Sequence, residues 1–151
     1  MAHSKEYQRS NYPLPAYNFR VAVDGTAMSF AEVAGLHREY QTVTYRHGLS
    51  YWEGEAISKF RYDKYVSITM KRGTVKGVAF LYQWLDSKTV RTLDVSLCDE
   101  TGTPVLRWHV AKAVPVKLDA PTFDARTSES AIETLEVKAA GISIVVEDLS
   151  A

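Results

Sequence analysis

The chain has 151 residues, of which 46% are apolar and 24% charged. Those values suit a single globular domain over residues 1–151 with a core of its own, and they exclude a disordered, collagenous or coiled-coil chain. Lysine plus arginine number 18, as do aspartate plus glutamate, so bulk electrostatic attraction to nucleic acid or an anionic membrane is not expected.

Residues 1–17 are polar and close on Tyr12-Pro13-Leu14-Pro15-Ala16-Tyr17, whose prolines favour an extended lead-in. Phe19 to Val23 alternates and runs into Asp24-Gly25, which predicts a strand entering a hairpin. Phe30 to Leu36 is a short apolar stretch, and Glu39 to Tyr45 is a strand rich in Thr, Val and Tyr. Residues 46–64 are the least regular part. They hold Gly48, Gly54, Tyr51, Trp52, Phe60 and Tyr62 among seven charged residues, and they are expected to form a long loop, a kind of segment that is usually functional.

From Tyr65 to Arg72 the alternation is clean: Val66, Ile68 and Met70 share one face, Ser67, Thr69 and Lys71 the other. Past Gly73 the period changes. Phe80, Leu81, Trp84 and Leu85 make one face of a helix over Val78–Leu85, expected to pack on the core. The second half reads as strands throughout. Leu93, Val95 and Leu97 alternate, Asp99 to Pro104 supplies a hairpin turn, and Leu106, Trp108, Val110 and Val114 share a face. Pro115 marks an edge, a bulge or a strand end. A polar loop over 119–130 precedes two strands, Ile132–Ala139 and Ile142–Val146, parted by Gly141. Seven or eight strands and one helix predict a mainly β fold, an antiparallel sandwich or barrel with one flanking helix.

The residues offer little chemistry. One cysteine, Cys98, allows no internal disulfide and no cysteine-based zinc site, which suits a reducing cytoplasm. Asp99 and Glu100 beside it disfavour a reactive thiolate. His37 and His47 flank a strand ten residues apart, outside any H-x-x-x-H or H-E-x-x-H setting; surface histidines are the expectation and a shared metal the alternative. Lys71-Arg72-Gly73-Thr74-Val75-Lys76-Gly77 is read as a basic turn before the helix, without the order of a phosphate loop. No nucleophile elbow occurs. The expectation is a non-enzyme with no metal and no cofactor. Residues 1–9 have no apolar core, so no secretory signal is expected, and no apolar run approaches the ~20 residues of a membrane span.

Charge is uneven along the chain. Residues 1–91 carry 13 basic and 8 acidic side chains, a net +5, and residues 92–151 carry 5 and 10, a net −5. Chance accounts for this if folding mixes the halves. Otherwise the subunit has unlike faces, which favour head-to-tail contacts that build rings or filaments. The aromatic, charged 46–64 segment suits a protein partner, with single-stranded nucleic acid as the alternative.

Several segments in order resemble one family, the inner tube proteins of contractile phage tails and contractile injection systems, related to Hcp-like ring proteins. They are Tyr12 to Val21, Phe30-Ala31-Glu32-Val33-Ala34-Gly35-Leu36, Glu39 to Gly48, Ile68-Thr69-Met70-Lys71-Arg72-Gly73, Leu81 to Leu85, Asp99 to Trp108, Ala113 to Lys117 and Ala131 to Glu136. The resemblance covers about Tyr12 to Val146. It departs at Ser58 to Tyr65, where many relatives carry a Pro-Gly.

The resemblance implies six copies in a ring, rings stacked into a hollow tube, and strands of neighbours joined around a lumen. It implies a sheath protein outside, baseplate, hub and cap proteins at the ends, and cargo protein or DNA within. The monomer itself would not insert into membrane. Assembly would take place in the bacterial cytoplasm, and the product would be a phage tail or a contractile injection particle, extracellular or membrane-anchored. A tube-initiating baseplate ring of the same fold is the alternative. Expected subunit contacts are Tyr51, Trp52, Lys59, Arg61 and Lys64 in the long loop, with Arg72 and Lys76 in the basic turn. Thr42, Thr44, Ser67, Thr69 and Lys71 are expected on a strand face towards the lumen or a neighbour.

Overall fold

The computed structural model describes the backbone of residues 13–46, 55–61, 64–75 and 79–147, and the side chains of these apart from 45, 46 and 55–61. Two strands, β1 (Phe19–Val23) and β2 (Thr26–Met28), form the expected hairpin. Its turn residues Asp24 and Gly25 both have positive φ, 50° and 82°, the conformation whose twist matches paired strands. The Asp24 carboxylate fastens the turn to the sheet. It accepts from the Thr92 backbone N–H at 2.8 Å and pairs with Arg91 at 2.7 Å.

The next strands are β3 (Glu32–Ala34), β4 (Tyr40–Arg46), β5 (Glu55–Arg61) and β6 (Val66–Gly73). Helix α1 (Phe80–Asp86) follows, then β7 (Arg91–Cys98), β8 (Pro104–Asp119) and β9 (Ile132–Val146). Seven strands make one sheet in the order β2-β1-β7-β8-β9-β6-β3, and every pairing is antiparallel. The sheet curls on itself. Strands β1 and β6 stand three strands apart, yet Val21, Val23, Ile68 and Met70 enter one core with Leu93, Val110, Leu135 and Val137. The expected mainly β, antiparallel architecture with a flanking helix is what forms.

Three readings of the sequence change. The 46–64 segment is not wholly a loop: β5 lies within it and pairs with β4 from Tyr40–Arg61 to Arg46–Glu55. Charge at Glu55, Lys59 and Arg61 hides the strand in the sequence. Gly141 does not split two strands either, for β9 runs through it. At this point β8 and β9 change parity together. Val110 and Ala113 are both buried with exposed Ala111 and Lys112 between them, while Ala139, Ala140 and Ile142 are buried around Gly141. Each strand takes an extra residue, so their register survives: Val110 pairs with Ile142 and Ala113 with Ala139. The flip also turns Ala113 inward in place of the expected Val114. Pro115 proves to mark a bulge, since register shifts between Pro115 and Lys117.

Helix α1 has no side-chain N-cap and no acidic residue in its first turn. At seven residues it is too short to stand alone, so packing holds it. Leu81 and Trp84 are buried, and the Trp84 indole N–H donates to the Thr89 carbonyl at 3.0 Å.

Gly35 is the most constrained glycine among the described residues. Its φ is +99°, and an added Cβ would stand 2.6 Å from the Ser67 carbonyl oxygen. Gly35→Ala is expected to lose ~2–4 kcal/mol by urea denaturation, backbone strain and clash together. Gly25→Ala, where a Cβ meets nothing within 4 Å, is expected to lose only ~1 kcal/mol. Equal losses would show that the close approach of β3 to β6 carries no weight.

Candidate assembly surfaces

Polar residues collect on the outer face of the sheet. On β6, Ser67 and Lys71 are exposed and Thr69 is half-buried, opposite the buried Ile68 and Met70. None of the three belongs to the core. Each meets a cross-strand partner: Lys138 donates to the Ser67 hydroxyl at 2.6 Å, Thr69 pairs with Glu136, and Lys71 forms an ion pair with Glu32 at 3.2 Å. The same pattern continues across β7 and β8. Asp94 lies 2.6 Å from His109 and 3.6 Å from Arg107, and Arg107 reaches Glu147 at 3.0 Å. Cations and anions alternate over this face, so it presents hydrogen-bonding groups with little net field. The Asp94–Arg107–His109–Glu147 cluster escaped sequence analysis. The alternation of Thr92, Asp94 and Ser96 was a signal for it, but only the register of β7 on β8 brings its members together.

Strands β4 and β5 form a separate two-stranded sheet. Among the described residues it packs against no other strand or helix. Gln41, Thr42, Val43 and Thr44 are all exposed. The ladder sets Thr42 opposite Lys59, Thr44 opposite Ile57 and Tyr40 opposite Arg61. Two groups that the sequence suggested separately, Thr42 with Thr44 and Lys59 with Arg61, thus share one hairpin. Ser67, Thr69 and Lys71 lie on the other sheet. Lys64 is exposed just before β6. Tyr51, Trp52 and Lys76 lie outside the described residues.

Arg72 differs from its expectation. It ends β6 rather than sitting in a basic turn, and it is 8% exposed. Its guanidinium lies 5.9 Å from the centre of the Phe30 ring, within range of a cation–π attraction. In the ladder it faces Glu133, itself 7% exposed. The Tyr82 hydroxyl of α1 donates to Glu133 at 2.5 Å. Arg72 therefore joins a polar cluster that ties α1 to the sheet, and as a buried side chain it cannot serve as a surface contact.

The family model of the T4-like virus tail tube protein gp19 matches residues 15–143. The chain belongs to the tail tube protein family. A chain of the sheath-tube complex of an extracellular contractile injection system (PVC), in the extended state, is similar over 96% of this chain and 99% of its own. Its identity is 26% and its TM-score 0.79. A chain from the anti-feeding prophage tube-terminating cap is 26% identical, covers 90% and 93%, and has a TM-score of 0.77. One from the anti-feeding prophage baseplate is 19% identical over 92% and 99%, with a TM-score of 0.68, a likeness of fold. No curated protein sequence matches the chain.

The tail tube protein's helix latch has a pH signature. The hydrogen bond to Glu133, then burial and that carboxylate's charge, hold the Tyr82 phenol above its ordinary value of 10.0. A raised value means the latch contributes fully below pH 10.0 and fades as pH climbs through the folded-state value. Tyr82→Phe is expected to lose ~1–3 kcal/mol at neutral pH, because buried Glu133 loses a donor. The variant should also lack the wild type's added loss of stability in alkali. Urea denaturation at pH 7 and across the alkaline range checks both.

Proposed function

We propose that this tail tube protein is the structural subunit of the inner tube of a contractile injection particle or phage tail. Six copies close a ring, rings stack into a hollow tube, a sheath surrounds it, and cap and baseplate proteins finish its ends. Cargo protein or DNA passes along the bore. The protein's part in this is structural rather than catalytic. The observation that carries the reading is the match to a sheath-tube chain over nearly the full length of both. The tube body is favoured over a baseplate ring because identity is 26% with that chain and 19% with the baseplate chain.

The geometry agrees with this use. A sheet face of paired cations and anions suits a bore past which cargo slides without binding, and Ser67, Thr69 and Lys71 are the residues we assign to it. A hairpin that packs on no other strand or helix among the described residues suits an arm to a neighbour. Two strands in water are marginal alone, so β4 and β5 gain their stability from assembly. Thr42, Thr44, Lys59 and Arg61 belong to that arm, with Tyr51, Trp52 and Lys64 flanking or following it and Lys76 a separate contact.

Negative-stain electron microscopy of the purified protein over a concentration series, alongside its light-scattering mass, tests the reading. Stacked rings or hollow tubes are expected. A strict monomer at every concentration would overturn it, and isolated rings that never stack would move the assignment to a baseplate ring. The double variant Trp52→Ala with Arg61→Glu is expected to abolish tubes while its circular dichroism stays that of the wild type. Normal tubes from that variant would remove the arm's role.

A further inference from the structure

The outer face of the seven-stranded sheet holds one group that can change its charge near neutrality. Among the described residues His109 is the one histidine in the strands of that sheet. Histidine is the side chain whose ordinary charge change falls between pH 5 and 8, whereas carboxylates, lysine and arginine ordinarily keep their charge there.

His109 stands in the middle of the sheet. Across from it are Asp94 on β7 and Ser143 on β9, with Ala22 of β1 beyond Asp94. The next row along holds Arg20, Ser96, Arg107 and Val145. On its own strand the nearest charged residues are Arg107 before it and Lys112 past Ala111. Glu147, just beyond β9, joins the set through its ion pair with Arg107. Helix α1 also packs on β8, but through Leu81 and Trp84 in the core, on the opposite side. Further along the outer face, Lys71, Lys117 and Lys138 lie 3.2, 3.7 and 3.8 Å from Glu32, Asp119 and Glu136.

Asp94 fixes the state of the ring. An ionised carboxylate only accepts, so at 2.6 Å the His109 Nδ1 carries a proton and donates to it. In the neutral ring Nε2 is then a bare acceptor. Among the described residues nothing bonds to Nε2. The His109 side chain is 34% exposed and that of Asp94 17%, so the ring is the more accessible of the two. A second proton goes to Nε2. That nitrogen changes from an acceptor, which repels a carboxylate, to a charged donor, which binds one. The bond from Nδ1 to Asp94 is kept, so the ring has no need to turn.

We propose that His109 is a proton-controlled binding site for the carboxylates of an acidic polypeptide passing over this face. At about pH 7.5 the ring is neutral and the polypeptide slides. At about pH 5.5 each copy adds one cation with a free donor, and an acidic segment is held. The site rests on the tube reading, which brings cargo to this face and sets six such rings around the bore. A polypeptide fits better than a nucleic acid. Cations and anions alternate here, so a backbone with a phosphate at every step meets Glu32, Asp94, Glu136 and Glu147 as often as it meets cations. An acidic segment with neutral residues between its carboxylates can avoid those anions.

The probe is a fluorescent peptide of alternating Asp and Ser, whose carboxylates stay ionised at both pH values. Equilibrium dialysis against the wild type at fixed ionic strength is expected to show binding at least roughly threefold tighter at pH 5.5 than at pH 7.5. His109→Gln keeps a donor for Asp94 and never gains charge, so it should bind weakly at both. His109→Lys stays charged and should bind at pH 7.5 about as tightly as the wild type does at pH 5.5. His37→Gln, at an exposed histidine off this sheet, should keep the wild-type change. Circular dichroism checks that each variant folds.

Equal binding by the wild type at the two pH values overturns the site, as does the full difference surviving in His109→Gln. A single-stranded oligonucleotide of equal length that gains as much as the peptide overturns the choice of polypeptide. Negative-stain images of the same samples separate this result from the tube reading. Tubes without the pH change keep the reading and remove the site. A monomer whose binding depends on His109 removes the reading and keeps the site on the free chain.

Discussion

The long ribbon of β8 and β9 is the element from which the rest of the sheet hangs. These strands pair from Leu106–Val146 to Asp119–Thr134, and β7 and β6 each lie along one of them. A slip of one residue in that ribbon would turn the core face of both strands to water. The coincident parity change at Ala111–Lys112 and Ala140–Gly141 shows how tightly the register is held. An added residue in one strand alone would have broken the match of buried side chains. Gly141 makes the matching bulge possible, since its φ of +69° suits glycine and a Cβ there would lie 2.9 Å from that of Ala111. Leu135, Val137 and Ala139 thereby reach the same core as Val110 and Ala113.

A sheet held in register this way still has two ends to close. At one, a short helix without caps is pinned by Trp84 and by the Tyr82–Glu133 hydrogen bond. The other end keeps apolar side chains open, Ile144 and Val146 among them. A monomer built to be final would be expected to cover such a surface, because exposed contiguous apolar area is where partners bind or aggregation begins. The hairpin β4–β5 presents the mirror problem, backbone and apolar residues with too little to pack on. In the proposed tube, contacts between copies would cover such surfaces. Assembly also accounts for short edge strands: β2 and β3 have three residues each and offer little ladder to a chance partner.

How much of this was legible in the sequence depended on local signals. The Asp24-Gly25 turn, the alternation over β6 and the helix about Trp84 were readable because neighbouring residues state them. The family resemblance was readable from segments in order. β5 was not, since the charges at Glu55, Lys59 and Arg61 and the glycines before it read as a loop. Gly141 was read as a stop because glycine usually is one, and only the matching bulge in β8 shows otherwise. Arg72 was placed outside because arginine usually is. Its burial depends on Phe30 and Glu133, which are distant in sequence and meet it only across strands. Contacts between residues close in the chain were visible, and contacts created by register were not.

Balanced charge takes on meaning in this setting. A tube multiplies whatever charge its subunit carries, and a net charge of one sign would accumulate with every ring and oppose growth. Here the formal net charge is zero, so added copies meet no growing long-range repulsion. The balance comes from opposite excesses in the two parts of the chain rather than from an absence of charge. That leaves local attraction between unlike surfaces while the long-range field cancels. Such attraction favours contacts between unlike surfaces over contacts between like ones. A head-to-tail contact of this kind has no two-fold partner to stop at, so it goes on until the rotation between copies closes a ring or stacking extends it.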